Sequence, residues 1–181
     1  GLRNPNGLAW QPDSGVLWTA VNERDELGSD LVPDYMTSVK EGAFYGWPYS
    51  YYGQHVDTRV KPQNAELVAK ALAPDYALGA HTAALGLAFY QGKLLPSRYH
   101  GGAFVGQHGS WNRTVPAGAR VLFTPLNEDG TAGPQEDFAA GWLTENGEYI
   151  GRPIALTQLR DGSLLVSDDF AGAIYRISYG D

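Results

Sequence analysis

The sequence predicts an all-β domain, and three observations carry that prediction. Aromatic residues make up 12% of the chain, beside 23 glycines and 11 prolines, a composition of short strands and frequent turns rather than long helices. A strand-turn-strand phrase appears and then returns twice. At 181 residues with 43% hydrophobic content, the chain has the size of one domain with one substantial core.

The first unit opens with LAW at 8–10, a turn through Pro12, Asp13 and Gly15, and VLWTAV at 16–21. Pro presets the turn and Gly supplies its left-handed position, so the two runs read as paired strands. A polar loop follows, with Asn22, Glu23, Arg24, Asp25, Glu26, Ser29 and Asp30 inside nine positions, more donors and acceptors than a connector requires. A third strand is expected at 35–39, and FYGWP at 44–48 reads as a turn that buries its rings. The second unit comprises LGLAFY at 85–90, GAFVGQH at 102–108 and ARVLFTPL at 119–126, before a turn of Asn127, Glu128, Asp129 and Gly130. The third is the clearest: PIALTQL at 153–159, a turn through Asp161 and Gly162, SLLVSD at 163–168 and GAIYRI at 172–177, all of ordinary strand and hairpin length. Stretches 49–80 and 127–151 are less regular, and ELVAKAL at 66–72 fits a short helix or an outer strand equally.

A period of roughly 60 to 90 residues exceeds the about 40 to 50 of common propeller blades, so the excess must lie in loops. That excess falls at one phase. After the second strand of each unit come Asn22, Glu23, Arg24 and Asp25, then HGSWNR at 108–113, then Asp168 and Asp169. Equivalent loops of radially repeated units leave on the same face, so these polar groups are expected to converge on one mouth.

A net charge of −7 argues against a nucleic-acid surface, which needs a basic face to displace counterions. Zero cysteines exclude disulfides and thiolate metal ligands. No run of eighteen apolar residues predicts a membrane-spanning helix, and the first residues lack the pattern of a signal peptide. The start at Gly-Leu-Arg-Asn, without Met, reads as a piece of a longer polypeptide.

His108 and Ser110 lie too close along an extended chain for a nucleophile and its base, and no Gly-x-Ser-x-Gly elbow is present. Asp25, Glu26, Asp30 and Asp34 do not reproduce an EF-hand spacing. His55, His81, His100 and His108 lack the i, i+4 pairing of a zinc helix. Arg3, Arg24, Arg113 and Arg152 lie in loops near strand ends, where their forks suit an anionic ligand with carboxylates or surface ion pairs. Tyr49, Tyr51, Tyr52, Gln54, His55 and Asp57 fit either a sugar-sized pocket wall or packing between blades.

GLRNPNGLAW at 1–10, Asn22 through Asp25, and Gly46, Trp47 and Pro48 together resemble the glucose/sorbosone dehydrogenases. These are soluble sugar dehydrogenases that depend on pyrroloquinoline quinone (PQQ) and fold as six-bladed β-propellers. NERDELGSDLVPDY, FYGWPYSYYG and HGSWNR are most similar to the sorbosone dehydrogenase branch. The resemblance runs the whole length of the chain but covers only the C-terminal half of the family's propeller. Residues 1–181 are therefore expected to be the C-terminal half of a single propeller domain, about three blades, with the N-terminal half as a missing partner.

The resemblance implies that PQQ lies flat at the mouth, its carboxylates held by arginines, a lysine and amides, with Ca²⁺ bridging the quinone and backbone carbonyls. It places the family's Arg-Asn pair at Arg3 and Asn4, the amide after the second strand at Asn22, and the Ca²⁺-binding carbonyls at Glu23 and Arg24. The loop acid corresponds to Asp30, a cofactor-contacting threonine to Thr82, one late arginine to Arg152, and the lysine to Arg113 with His108 beside it. Two departures stand out: Glu23-Arg24 replaces a Gly-Pro, and Ile150 replaces a second late arginine. The family's catalytic histidine belongs to the half that this chain does not cover. The implied activity is oxidation of an aldose or sorbosone-type sugar, aldehyde or lactol to acid or lactone, with electrons passing to an external acceptor. The implied setting is periplasmic or secreted, and the isolated chain is expected to be inactive. The alternative is a non-catalytic propeller that binds protein or glycan, since a fold does not fix its function.

Overall fold

Three antiparallel sheets follow one another along the chain in the computed structural model, which describes residues 1–127 and 129–180. The first begins with β1 (Asn4–Trp10), β2 (Leu17–Asn22) and β3 (Pro33–Ser38). The turn between β1 and β2 closes through Gln11, whose N–H donates to the Val16 carbonyl at 2.8 Å and whose Oε1 accepts from the Ser14 N–H at 2.5 Å. β3 starts earlier than expected because Pro33 takes its first position, where a missing N–H is tolerated. A small hairpin of β4 (Ser50–Tyr51) and β5 (His55–Val56) follows, then the helix α1 (Ala65–Lys70). Asn64 caps that helix by accepting from the Leu67 N–H at 3.0 Å, and no helix residue is buried. The run at 66–72 is thus a short helix nucleated by its cap, with Leu67 and Val68 half-buried and Ala71 buried just past its end. β6 (Tyr76–Ala80) then returns to pair with β3, completing the order β1-β2-β3-β6.

The second sheet has β7 (Ala84–Phe89), β8 (Ala103–Gln107), β9 (Arg120–Thr124) and β10 (Glu136–Ala139) in sequential order. The third has β11 (Pro153–Gln158), β12 (Leu164–Asp168) and β13 (Ala173–Ile177). Of the turn expected at 127–130, Gly130 donates to the Asn127 carbonyl at 2.9 Å; Glu128 lies outside the described residues. The fourth strands β6 and β10 fall in stretches whose sequence shows no clear alternation, YALGA and EDFA.

The sheets stack face to face as blades, and the period of two along each strand supplies both seams. Trp18, Ala20, Met36 and Leu78 of the first blade meet Ala84, Leu87, Phe89, Ala103, Val105 and Leu122 of the second. From the opposite face of that second blade, Phe104, Val121 and Phe123 pack with Leu164 and Val166 of the third. Ala103 and Val105 thus face one neighbour while Phe104 faces the other. At the inner edge the backbones nearly touch: a Cβ on Gly7 would lie 2.5 Å from the Leu85 carbonyl, and one on Gly106 2.6 Å from that of Ile154. Among the described residues no helix is long and apolar enough to cross a membrane.

Candidate functional site at the blade mouth

Antiparallel order sends the start of β1, the end of β2, the start of β3 and the end of β6 to one edge of the first blade, and the corresponding ends of the other blades to the same side. A polar cleft of about 170 Å³ opens there between the first two blades. Its walls are Arg3, Asn4, Asn22, Glu23, Asp25 and Asp34 from the first blade, His81 and Ala83 from the corner before β7, and Trp111 and Asn112 from the loop after β8.

Asp34 ties the floor together. Its Oδ1 accepts from the Glu23 N–H at 2.8 Å, and its Oδ2 accepts from the Ala83 N–H at 2.7 Å and from the Thr82 hydroxyl at 3.3 Å. Burial pushes this carboxyl up to about 6, against the hydrogen bonds that favour its charge. The corner it holds is tight, since His81 and Ala83 adopt φ of 57° and 52°, left-handed values rarely taken by residues with a Cβ. Asn22 crosses the seam as well, donating to the Ala84 carbonyl at 2.7 Å.

Arg3 donates through Nη1 to the Glu23 carbonyl at 2.8 Å and stands 3.6 Å from Asp25. The side chain of Arg24 turns elsewhere. Its guanidinium is 3% exposed and donates to Asp57 at 2.9 Å, to Glu23 at 3.2 Å and to the Ser50 carbonyl at 2.8 Å, beneath the ring of Trp47. Asp57 also accepts from Arg59 at 2.7 Å, and the two guanidiniums hold its carboxyl well below the usual range. The aromatic run is spent on the same knot: Tyr51 lies against Arg24 and stacks on His55, while Gln54 bonds the Ala69 carbonyl. Of the two readings of that run, the structure supports packing, and none of its residues lines the cleft.

Of the residues singled out in the sequence, Arg3, Asn4, Asn22 and Glu23 meet in one cleft. Thr82 is buried behind it on Asp34. Arg113 stands on the adjoining rim, donating to the Ser29 carbonyl at 2.9 Å and the Ala80 carbonyl at 3.2 Å, 3.4 Å from an Asp30 whose side chain is 90% exposed. His108 and Arg152 occupy the seam between the second and third blades. His108 pairs with Asp169 at 2.9 Å, and Arg152 lies 4.0 Å over the Tyr149 ring, with its amide donating to Asp168. Asp168 titrates low: burial raises it, but hydrogen bonds from Ala171, Arg152 and Tyr175 outweigh that. The loops after β2, β8 and β12 therefore do share one face, linked by Asn112 to Asp25 at 2.7 Å and by His108 to Asp169. Asp34, His81, Ala83, Trp111 and Asn112 also line the cleft, and the sequence alone does not mark them as ligand contacts. The left-handed corner at 81–83 leaves no mark in a sequence without glycine there, and Trp111 and Asn112 stood inside the HGSWNR run without being distinguished from their neighbours.

The donor set suits an acidic, planar cofactor better than it suits a side-chain metal centre. Arg3 supplies a guanidinium, and Asn4 and Asn22 supply amides. Asn112 Oδ1 is buried with no partner, an acceptor that a bound group can satisfy. Among the described residues no group of three His, Cys, Asp or Glu could hold a metal ion. A cation here would depend on main-chain oxygens, and the Glu23 carbonyl, already accepting from Arg3, keeps a second lone pair for it.

Residues 1–111 match the family described as Glucose / Sorbosone dehydrogenase. The chain is 34% identical over 183 residues to an uncharacterized protein of Borreliella burgdorferi, covering 99% of this chain and 48% of that protein. It is 31% identical over 97 residues to aldose sugar dehydrogenase YliI of Escherichia coli, covering 53% of this chain and 24% of that one. Among solved structures, the holo PQQ domain of pyranose dehydrogenase from Coprinopsis cinerea superposes with a TM-score of 0.75 at 22% identity, over 98% of this chain and 54% of that one. The apo soluble aldose sugar dehydrogenase of Escherichia coli gives 0.63 at 24% identity, over 93% and 42%. The chain spans about half the length, or less, of the curated relatives it matches. The structural likeness, at these identities, speaks for the fold, three blades of a β-propeller. With more than half of its length matched by the family and its blades stacked in the same way, the chain belongs to the glucose/sorbosone dehydrogenase family.

Proposed function

We propose that this chain is the C-terminal half of a single propeller domain that oxidises an aldose or sorbosone-type sugar with PQQ and Ca²⁺, and that it supplies part of the cofactor site. The observation that carries this reading is the meeting of Arg3, Asn4, Asn22 and the Glu23 backbone in one cleft at the mouth. A bound PQQ would supply the two-electron acceptor for oxidation at the sugar's C1, the hydroxyl proton passing to a base outside this chain. Arg3 would pair with its carboxylates, Asn4 and Asn22 would donate amide hydrogens, and Arg113, His108 and Arg152 would add cationic and hydrogen-bonding groups along the rim. The carbonyls of Glu23 and Arg24 would hold Ca²⁺. Thr82 acts from behind by fixing Asp34, and Asp30 acts through Arg113. A sugar substrate, an external electron acceptor and a periplasmic or secreted setting complete the reading.

Titrating the full-length protein with PQQ and Ca²⁺ and following dye reduction on a panel of aldoses tests it. Activity that needs both additions, with PQQ affinity falling about tenfold or more in Arg3→Ala, is the expected result. Absence of both PQQ binding and aldose-dependent reduction would overturn the proposal.

A further inference from the structure

Trp111 is 75% exposed and stands on the wall of the polar cleft. A tryptophan ring left in water at the rim of a polar cleft is an unspent apolar surface, and the loop that carries it is fixed on both sides. Before it, Ser110 is buried, its N–H donates to the Ala117 carbonyl at 2.8 Å and its hydroxyl contacts the Tyr149 hydroxyl at 3.0 Å. After it, Asn112 Nδ2 donates to Asp25 Oδ1 at 2.7 Å, and Arg113 grips the Ser29 and Ala80 carbonyls. The indole is displayed by design of the loop rather than by slack in it.

The neighbouring atoms supply a polar complement. Asn112 Oδ1 is buried and accepts nothing. His81 Nε2 donates to the Gly28 carbonyl at 2.8 Å, and its Nδ1 lies 3.2 Å from Asn112 Nδ2 and 3.4 Å from Asp25 Oδ1. Asp25 bridges the two walls, its Oδ1 accepting from Asn112 at 2.7 Å and its Oδ2 facing Arg3 at 3.6 Å. Asn112 Oδ1 is thus an acceptor left free at this end of the cleft, suited to a hydroxyl donor, and the Asp25 carboxylate beside it disfavours a second anion.

We propose that Trp111 and Asn112 are substrate-binding residues that determine specificity: the indole stacks on the apolar face of a sugar ring while Asn112 Oδ1 accepts a sugar hydroxyl. This rests on the reading of the protein as a sugar dehydrogenase and names the residues that touch the sugar rather than the cofactor.

The test uses the full-length protein in wild-type form and as Trp111→Ala, Trp111→Phe and Asn112→Ala. Three quantities are read: equilibrium binding of D-glucose and other aldoses by calorimetry, bound PQQ per protein by absorbance, and kcat and KM separately. Trp111→Ala is expected to raise the sugar Kd and KM by about tenfold with kcat within about twofold and PQQ loading unchanged, and Trp111→Phe to restore most of the affinity. Asn112→Ala is expected to weaken some aldoses more than others. Unchanged sugar Kd and KM in Trp111→Ala, or loss of PQQ loading in it, overturns the proposal, as does a wild-type protein that binds no sugar. Sugar binding that depends on Trp111 in a protein that oxidises no aldose sustains this inference while the enzymatic reading fails. Aldose oxidation indifferent to Trp111 does the reverse.

Discussion

Asp34 carries more of the mouth than any exposed acid near it, because one carboxylate serves the loop after β2 and the corner before β7 together. Replacing it with Asn turns one oxygen into a donor facing a backbone N–H, so Asp34→Asn is expected to cost about 1–3 kcal/mol, measured as a lower midpoint of urea unfolding. Its pH behaviour has a definite sign. A folded value raised to about 6 means the folded protein holds this proton more tightly than the unfolded chain. The resulting stabilisation is fully present below about pH 4 and is lost as pH rises through about 6. Urea midpoints compared at pH 4 and 7 in wild type and Asp34→Asn should show this component only in the wild type; equal slopes in both would refute it. Arg24 makes the opposite kind of contribution. Its removal would leave the nearly inaccessible Glu23 without a cation and Asp57 with Arg59 alone, so Arg24→Met is expected to lose about 3–5 kcal/mol. Lysine at this position should not rescue it, because the guanidinium divides its hydrogens among four partners, Glu23, Asp57 and the Pro48 and Ser50 carbonyls. A variant as stable as wild type would show that the knot is dispensable.

Strands find their blades through alternation, and the second blade shows why. β8 sends Ala103 and Val105 to one seam and Phe104 to the other, so a one-residue slip would exchange small and large groups across both seams. The inner strands obey a stricter limit. At Gly106 a Cβ would meet the Ile154 carbonyl at 2.6 Å, backbone rather than a movable side chain. Gly106→Ala is expected to destabilise by about 1–3 kcal/mol by pushing β8 from β11, whereas Gly15→Ala, in open space but at φ 66°, strains only its own turn. Thermal unfolding of the two variants separates steric approach from turn conformation. The nine strands expected from alternation and turn residues all form, beside β6, β10 and the short β4–β5 hairpin. β6 and β10 were not legible, because an outer strand half exposed to water has no need of a regular apolar face.

At the scale of the molecule, the mouth is a consequence of repetition. Every blade runs antiparallel from the same starting edge, so the loops after β2, β8 and β12 had to emerge together, and the phase of the repeats was enough to anticipate it. Closure of the first seam then depends on groups far apart in sequence: Asn22 with Ala84, Asp34 with Ala83, Asn112 with Asp25. The order of breakage follows. Variants at Asp34 should loosen the cleft and the first seam together, while the second seam, packed by Phe104, Val121, Phe123, Leu164 and Val166, keeps its own protection in hydrogen exchange.

The sequence by itself determined the all-β class, the inner three strands of each blade, the shared face of the loops that begin at Asn22, His108 and Asp168 and, through its motifs, the family, because alternation, turn residues and short motifs are local and repeat along the chain. Only the tertiary structure decided which side chains face the cleft. It turned Arg24 into a buried brace and left Asp30 in solvent. It also brought Asp34, His81, Trp111 and Asn112 to the wall. The reason is physical: whether a polar residue lines a site or ties a loop depends on which backbone groups from another blade need a partner, and those groups are tens of residues away.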